Sequence, residues 1–356
     1  MKTKLTQLLG IQIPVVTAPM YYATTPSMAA AATEAGAFGF IAAGFTSSST
    51  LVDELQTVRS ILGTPSKSDP IPVGVGFLGW ILDRTEISDD PRIPPVLAEQ
   101  PAAIWFAFGV DLGKYVSEVR AYDATREHKT IIFVIITTVN EALQAANEWG
   151  VDVLVVQGNE AGGHGREGGP ALSMLLPAVL EAVPSGPIIL AAGGVSTGSQ
   201  VASLLVMGAD GVVLGSRLLG TPECMYPENA KEVILHSGLN STIRSGVFDE
   251  INQTSFWPKG YDGRAVINDV VNDEKAALAL EERLERFEKS KKNGELSRLI
   301  IWAGDAIAFI KDSADTKVCL LDYFSKCLTL APQTIIHQLH NDAVSIIKQA
   351  TKILDQ

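Results

Sequence analysis

The chain has 356 residues, of which 46% are hydrophobic and 19% charged, a composition that supports a large buried core and excludes an intrinsically disordered protein. Its formal net charge of −12 argues against a nucleic-acid-binding surface, which needs clustered lysines and arginines. No stretch reaches the roughly 18 uninterrupted apolar residues of a membrane span, and Pro14 interrupts the first apolar run too early for a secretory signal.

The cysteines bear on the cellular compartment. Cys224, Cys319 and Cys327 fit neither a disulfide framework nor a metal-ligand pair, and they indicate reduced thiols in a reducing environment. We therefore predict a cytoplasmic protein that binds neither nucleic acid nor membrane, with an organelle address left open. The sequence also leaves the oligomeric state open, with a homodimer as one alternative.

Short apolar runs recur along the first 220 residues, and each is followed by a segment with helical periodicity. The runs are continuously apolar rather than alternating, as in the strands of a parallel sheet that is buried on both faces. The segments between them, such as residues 25–36 and 138–150, carry apolar stripes and end in glycine, which helices favour as a C-cap. The runs begin near Ile13, Phe38, Ile71, Ala103, Thr130, Val151, Pro187 and Gly211.

Eight strand-helix repeats predict an α/β fold, a (β/α)8 TIM barrel formed by residues 1–220. A doubly wound open sheet is the alternative, and the count of eight with glycine-rich seventh and eighth strand ends favours the barrel. From residue 221 to 356 the pattern changes to helical segments around a polar stretch with aromatic residues, INQTSFWPKGYDGRAVIND. We therefore predict a smaller, mostly helical C-terminal domain against the barrel mouth, with a return of the final helices onto the barrel left open.

The glycine-rich turns after the seventh and eighth strands are candidates for a phosphate site. The segment AAGGVSTGSQ places Gly193 and Gly194 at a turn before a helix, with a serine or threonine as its N-cap, and VVLGSRLLG places Gly215 and Ser216 in the same way. Glycines let backbone N–H groups approach an anion, and a helix N-terminus adds favourable partial charge. Barrels often bind phosphate at this position. The alternative is that the glycines only permit tight turns.

His164 lies in a glycine-rich stretch, VVQGNEAGGHGREGGP, that follows the sixth strand. If that strand ends near Gln157, His164 lies in a loop above the barrel mouth, flanked by Gly162 and Gly163. An imidazole there is a candidate general base, because its unperturbed pKa of about 6.5 lets it take a proton near neutral pH. Glu160 could orient the histidine or cap a turn. The alternative is an exposed loop histidine without a catalytic role.

Four segments together resemble the nitronate monooxygenase family, formerly called the 2-nitropropane dioxygenases, and its fungal branch in particular. They are APMYYATTPSMAAAATEAGAFGFIAAG, VVQGNEAGGHG, AAGGVSTGSQVASLLVMGADGVVLGS and WPKGYDGRAVIND. The block around His164 is the specific part, since the AAGG and LGS segments occur more widely among flavin barrels. The resemblance covers nearly the whole barrel and part of the C-terminal domain.

The resemblance implies a flavin-binding TIM barrel with a smaller helical domain and a non-covalently held FMN. It implies a nitroalkane-detoxifying enzyme that oxidises alkyl nitronates, and nitroalkanes, with O2 to carbonyl compounds and nitrite. His164 matches the catalytic histidine, which takes the α-proton of a neutral nitroalkane. The cofactor-binding positions implied by the resemblance are Ala18, Pro19, Met20, Gln157, Gly162, Gly194, Val213, Leu214, Gly215 and Ser216.

The chain departs from the family pattern at two places. Gly76 stands in the third-strand motif where bacterial relatives often have an asparagine, which removes one hydrogen bond to the flavin. We keep Gly76 among the cofactor-binding candidates, together with Gly163 and Gly193 of the glycine-rich turns. The segment IWAGDAIAFI is poorer in glycine than its family counterpart, with Asp305 and Ala308 at altered positions. Both departures bear on substrate preference.

Two other functions stay open at this point. One is an FMN-dependent reductase on the same fold, acting with NAD(P)H on a quinone or an enoyl substrate. The other is a flavin-binding barrel without catalytic turnover. No metal site is predicted, because His337 and His340 are three residues apart on a helix but lack a carboxylate or cysteine at ligand spacing.

Overall fold

The computed structural model describes residues 1–64, 66, 69–254, 256–311 and 335–354. Cys319 and Cys327 lie outside the described residues, and Cys224 is buried. The strands in the described part of the chain are β1 (Val15–Thr17), β2 (Gly39–Ala42), β3 (Ile71–Leu78), β4 (Pro101–Ala107), β5 (Ile131–Ile136), β6 (Val153–Gln157), β7 (Gly163–Arg166), β8 (Ile188–Ala192), β9 (Gly211–Leu214), β10 (Thr242–Ser245) and β11 (Tyr261–Val266).

Eight of these strands form a parallel sheet in the order β1-β9-β8-β6-β5-β4-β3-β2. Its two edge strands meet, because Val16 forms a parallel bridge with Phe38, next to the start of β2. The Thr17 hydroxyl oxygen also accepts a hydrogen bond from the Phe40 N–H at 2.9 Å. The ring of strands therefore forms the predicted (β/α)8 barrel, and the open-sheet alternative is excluded.

Helices surround the barrel, and several begin at a side-chain cap. Thr25, Thr138 and Thr197 each accept a hydrogen bond from the N–H three residues later, as favoured N-caps do. Thr197 is thus the N-cap that follows the Gly193–Gly194 turn. The α-helices in the described residues are α1 (Lys4–Leu9), α2 (Pro26–Glu34), α3 (Ser48–Ile61), α4 (Gly79–Thr85), α5 (Ile93–Ala98), α6 (Gly113–Asp123), α7 (Val139–Gln144), α8 (Leu172–Ala182), α9 (Gly198–Val206), α10 (Glu228–Leu235), α11 (Val247–Asn252), α12 (Asp269–Lys275), α13 (Leu280–Lys292) and α14 (Ile335–Leu354).

Two layers of apolar side chains support this fold. One lies between strands and helices and contains most of the aliphatic residues. The other fills the barrel interior and is rich in aromatic rings. There Trp105 and Phe133 stack with their ring centroids 5.9 Å apart, and Phe40 meets both rings edge-on. The filled interior leaves the strand ends as the place for a ligand.

The last described helix lies against the barrel. Helix α14 packs on α9 so closely that a Cβ on Gly198 would lie 2.2 Å from the Asp342 Cβ. His337 Nε2 lies 2.6 Å from the carbonyl oxygen of Ala35, just after α2. Helix α14 therefore contacts the barrel beside α9 and α2, while the division of the chain at residue 220 stays a prediction. No helix in the described ranges combines the length and apolar character needed to span a bilayer.

A small antiparallel sheet joins the C-terminal part of the chain to the barrel mouth. Its order is β10-β11-β7, and in its register His164 lies opposite Gly263. The expectation of a loop at His164 is therefore wrong, and strand β11 lies within the polar stretch of residues 251–269, for which the sequence predicted no strand. Glycine-rich β7 has little strand propensity of its own, and its extended form comes from pairing with β11.

Candidate active site

A cavity of about 300 Å³ opens at the carboxyl ends of the barrel strands, the position at which barrel enzymes carry their chemistry. Its walls come from residues at or just after the ends of all eight barrel strands, and from residues beyond 220 that close over them. Its size lies at the lower end of the range for small-molecule sites.

The cavity brings together nearly all residues predicted to bind a cofactor. Leu214 is the exception, since its side chain is fully buried in the layer between strands and helices. Successive residues of a strand face opposite sides, so Val213 faces the barrel interior and Leu214 does not. The cavity is lined by His164 and by Ala18, Pro19, Met20, Gly76, Gln157, Gly162, Gly163, Gly193, Gly194, Val213, Gly215 and Ser216.

The turns after β8 and β9 offer free backbone donors. No described residue accepts a hydrogen bond from the N–H of Gly194 or Gly215. Gly194 has a φ of 70°, in the left-handed region that glycine adopts without strain, and the Gln200 amide holds this turn by donating to the Gly194 carbonyl at 2.7 Å. Free backbone N–H groups at two turns that line one cavity suit a phosphate, and the Gly194 turn leads into α9.

In the side-chain amide of Gln157, at the end of β6, the nitrogen makes a hydrogen bond within the described part of the protein and the oxygen does not. Its Nε2 donates to the His164 carbonyl at 3.2 Å. Its Oε1 is buried and has no hydrogen-bond partner among the described residues. Because buried acceptors are rarely left unpaired, this oxygen fits a ligand N–H, such as one on a flavin ring.

Position 76, on β3, needs glycine because Pro19 packs directly against it. A Cβ at position 76 would lie 2.4 Å from both the Cβ and the Cγ of Pro19, closer than atoms in proteins approach. The glycine at this position therefore allows Pro19 to pack against β3 at the cavity wall.

His164 forms a pair with a carboxylate from a distant part of the chain. Its Nε2 lies 2.9 Å from Oδ1 and 3.0 Å from Oδ2 of Asp249, on helix α11. Asp249 Oδ1 also accepts the Thr254 hydroxyl at 2.8 Å. Both partners are largely buried, with side chains 14% and 8% exposed. A buried carboxylate accepts hydrogen bonds, so in the neutral imidazole the proton lies on Nε2 and the free lone pair lies on Nδ1.

Two tryptophan rings pack against the His164 imidazole and fix its orientation. The Trp257 ring stacks on His164 at a centroid distance of 3.7 Å and an interplanar angle of 8°, and the Trp302 ring lies 4.9 Å away. Glu160 does not contact the histidine, because its carboxylate accepts the N–H of Leu172 at the start of α8. Glu160 therefore caps the N-terminus of α8 and does not orient the histidine.

Residues 301–306, named here the closing segment, cross over the glycine-rich stretch. The Gly304 N–H donates to the Ser216 hydroxyl at 2.8 Å, and the Asp305 N–H donates to the Glu160 carbonyl at 3.0 Å. A Cβ on Gly304 would lie 2.6 Å from the Glu160 oxygen and 2.8 Å from the Gly162 nitrogen. The crossing therefore needs glycine at position 304.

Asp305, at one of the altered family positions, anchors the closing segment. Its carboxylate pairs with Arg264 Nη1 at 2.8 Å and accepts the Thr242 hydroxyl. Arg264 in turn donates to the Asn159 carbonyl at 3.0 Å. Ala308, at the other altered position, is buried. The aspartate thus has a structural partner, which the sequence pattern did not reveal.

Tyr226 adds a neutral hydroxyl to the cavity wall. Burial raises its pKa well above the ordinary value, and its hydroxyl donates to the Trp302 carbonyl at 3.4 Å. The phenol therefore stays protonated at physiological pH. Its hydrogen bond links the residues just before α10 to the closing segment.

Sequence reasoning missed Asp249 and the two tryptophans beside His164. Asp249 lies in an ordinary helical segment without a motif. Trp302 lies in the segment IWAGDAIAFI, which the sequence analysis compared with the family only in its glycine content and in two altered positions. Trp257 did belong to a family-like segment, WPKGYDGRAVIND, but no function was assigned to it. A single sequence does not reveal which of its many acidic residues lies beside a given histidine.

The family model described as nitronate monooxygenase matches residues 2–69 and 78–318 of this chain. The chain belongs to the nitronate monooxygenase family. It is similar to a nitronate monooxygenase of Neurospora crassa, with 33% identity over 84% of each chain. It is also similar to the nitronate monooxygenase npaC of Metarhizium robertsii, with 27% identity over 91% of this chain and 93% of the relative.

A solved structure of a nitroalkane oxidase from Streptomyces ansochromogenes has the same fold. The TM-score is 0.70 at 24% identity, over 98% of this chain and 99% of the other. Membership of the nitronate monooxygenase family makes this protein an oxidoreductase that acts on a small molecule, and a flavin cofactor is consistent with that family. The resemblance expected from the sequence is confirmed.

Proposed function

We propose that the protein is an FMN-dependent nitronate monooxygenase that converts alkyl nitronates, and nitroalkanes after deprotonation, with O2 to carbonyl compounds and nitrite. The observation that carries this proposal is the His164–Asp249 pair at 2.9 Å, which lies at a cavity whose turns suit a phosphate. Family membership supports the same reaction.

The free hydrogen-bonding groups of the cavity suit the parts of FMN. Backbone N–H groups of Gly194 and Gly215 would hold the phosphate, and Gln157 Oε1 would accept a hydrogen bond from a ring N–H. Pro19 and Met20 would contact the flat ring system, because thioether and proline carbons pack well on aromatic surfaces. When bound, FMN supplies the electron acceptor for the nitronate.

His164 serves in this proposal as the base for neutral nitroalkanes. With the Nε2 proton held by Asp249, Nδ1 takes the α-proton, and the imidazolium that results is stabilised by the adjacent carboxylate. The stacked Trp257 ring keeps the imidazole in one plane, so that little reorganisation is needed. A nitronate has already lost this proton and needs only a partner for its negative charge.

Three measurements on the purified protein test the proposal. The bound chromophore is released by heat and identified by mass, and FMN is the expected result. Aerobic addition of propyl-2-nitronate should consume O2 and release nitrite. Anaerobic addition of NADH or NADPH should leave the flavin spectrum unchanged. Rapid bleaching by NAD(P)H without nitrite formation from nitronates would assign a reductase instead, and a yellow protein inert in both assays would assign a binding protein.

A further inference from the structure

A second cavity, of about 230 Å³, lies beside the active cavity at the ends of β4 and β5. Its wall includes apolar side chains from the loop after β4 and from β5, and it also includes Tyr261 on β11. Among the described residues, only Phe108 and Ile135 line both this cavity and the active cavity. The two spaces therefore adjoin at these two residues, and we name the second one the side cavity.

The ring of Phe108 stands between the two cavities. Its centroid lies 5.5 Å from the ring of Trp257, which lines the active cavity, and 5.3 Å from the ring of Tyr261, which lines the side cavity. Both contacts are edge-on, with interplanar angles of 65°, an arrangement that aromatic pairs favour. The residue is buried. Phe108 therefore forms a packed partition between the active cavity and the side cavity.

The backbone at Phe108 is held in an unusual conformation. Its φ of 54° lies in the left-handed region, which bulky residues rarely adopt. The Phe108 carbonyl accepts a hydrogen bond from the Trp80 N–H at 3.2 Å, and a Cβ on the next residue, Gly109, would lie 3.2 Å from the Gly79 Cα at the start of α4. Such backbone strain persists only where the surrounding structure fixes it, and it is frequent at functional sites. The loop after β4 thus fixes the place of the partition.

Phe108 lies in the half of the active cavity that contains the base. Strands β4 and β9 are four strands apart in either direction around the barrel, so Phe108, after β4, lies across the mouth from Gly215, after β9. The Trp257 ring that contacts Phe108 also stacks on His164 at a centroid distance of 3.7 Å. A substrate carbon next to the imidazole is therefore close to the partition and remote from the turn at Gly215.

The active cavity is open on another side. Tyr22, after β1, and Phe45, after β2, line this cavity and are 64% and 46% exposed. A hydrocarbon arm on the reacting carbon can extend past these residues toward solvent. The length of one arm is therefore not limited by Phe108.

Building on the proposed function, we propose that Phe108 limits the second hydrocarbon arm of a secondary nitronate, because its ring separates the active cavity from the side cavity. The nitronate carbon lies next to His164, one arm extends past Phe45 toward solvent, and the other extends toward β4 and meets the Phe108 ring. A methyl group fits on that side. A longer second arm needs the space beyond Phe108.

Isomeric substrates test this limit in the native enzyme. The nitronates of 1-nitroheptane and 4-nitroheptane have the same atoms and charge, but the first carries one hexyl arm and the second carries two propyl arms. The nitronates of 1-nitropropane and 2-nitropropane repeat the change from primary to secondary with short arms only. The kcat/KM ratio of 4-nitroheptane to 1-nitroheptane, named here the heptane ratio, should lie at least about tenfold below the corresponding propane ratio, because one misfitting methylene in an apolar pocket costs about tenfold or more. Equal ratios would overturn the inference.

Phe108→Gly should remove the partition and keep the fold. Glycine adopts a φ of 54° without strain, which partly offsets the lost packing of the ring. We expect the heptane ratio to rise at least about tenfold, while the propane ratio changes less than about twofold. Phe108→Ala, which removes the ring but keeps the strained backbone, should change the heptane ratio in the same direction in a less stable protein. FMN content and Tm show that each variant is folded, and an unchanged heptane ratio in a folded variant would contradict the inference.

Two control variants keep the partition intact. Val110→Ala changes an exposed side chain that lines the side cavity and not the active cavity, and it should leave the heptane ratio unchanged. Phe45→Ala widens the open side of the active cavity and should affect both heptane nitronates alike, so that their ratio again stays the same. If Phe45→Ala raises the heptane ratio as much as Phe108→Gly does, the limit lies at the open side and the inference is wrong.

Binding without turnover separates this inference from the proposed function. Heptan-4-one and heptan-2-one carry a carbonyl group in place of the nitronate and differ only in how their carbons are divided between two arms. Calorimetric titration of the holoenzyme should show that Phe108→Gly raises the affinity for heptan-4-one relative to heptan-2-one about tenfold. If no nitronate releases nitrite, the proposed function fails, and this titration still measures the limit on the second arm. If nitronates are oxidised and neither ratio depends on Phe108, the function stands and the role inferred for Phe108 is wrong.

Discussion

The side chains of His164 and Asp249 meet at 2.9 Å although 85 residues separate them in the chain. The histidine lies on β7, in the stretch that follows the sixth barrel strand, and the aspartate lies on α11 beyond the barrel. The pair therefore forms only when the C-terminal part of the chain has folded onto the barrel mouth. In this account the barrel supplies the cofactor site and the C-terminal part completes the base.

Replacing Asp249 with asparagine should impair the base while preserving its shape. The amide can donate to Nε2 as well as accept from it, so the Nε2–H tautomer is no longer fixed and the imidazolium loses its counter-charge. We expect kcat/KM for nitroethane to fall about 10²-fold or more, with a much smaller effect on ethyl nitronate. Steady-state nitrite release measures both.

Thr254→Val provides the graded control for this prediction. It removes the hydroxyl that donates to Asp249 Oδ1 at 2.8 Å and keeps the carboxylate, so nitroethane activity should fall less than tenfold. A loss as large as that in Asp249→Asn, or an equal loss with nitroethane and ethyl nitronate in Asp249→Asn, would show that the aspartate only supports the fold.

Gly304→Ala should weaken the crossing of the closing segment over the glycine-rich stretch. The new methyl would lie 2.6 Å from the Glu160 carbonyl oxygen, and relieving such overlap typically costs about 1–3 kcal/mol of the free energy of unfolding. Gly238→Ala introduces the same methyl where no atom lies within 4 Å. Thermal unfolding of both variants should show a lower Tm for Gly304→Ala alone, and equal Tm values would refute the packing argument.

Gln157→Leu should weaken retention of FMN. The substitution removes the unpaired Oε1 acceptor, and a ligand N–H left without an acceptor costs about 1–3 kcal/mol. Titration of apoprotein with FMN should therefore give a Kd raised about tenfold. The matched control is Gln7→Leu, at an exposed glutamine on α1. An unchanged Kd in Gln157→Leu would remove Gln157 from the cofactor site.

The packing of α14 on the barrel should depend on pH through His340. Burial, together with the nearby amino terminus and His337, lowers the pKa of His340 from 6.5 to about 4. The unfolded chain therefore binds this proton more readily than the folded chain, so the contribution of His340 to stability is intact above about pH 6.5 and is lost as the pH falls toward about 4. As the pH falls across this range, the Tm of His340→Gln should decrease less steeply than the Tm of the native protein. Parallel declines would contradict the assignment.

The barrel was predictable from the sequence because its signal is local. Each buried strand is a continuous apolar run, and turns such as Gly193–Gly194 and Gly215–Ser216 follow directly on strands, so chain order alone brings them to one end of the barrel. The strands β7 and β11 were not predictable in this way, since glycine-rich β7 becomes a strand only by pairing with a partner about a hundred residues away. Asp249 was not predicted as a site residue for the same reason, because its role depends on a tertiary contact that no local pattern encodes.

The central claim is that His164 acts as a base, and one comparison tests it most directly. His164→Asn is assayed for nitrite release from nitroethane and from ethyl nitronate, with FMN content measured to confirm that the cofactor is retained. The account predicts that kcat/KM for nitroethane falls by about 10²–10⁴-fold, while the value for the nitronate falls far less because no proton has to be removed. Equal losses with the two substrates would contradict it.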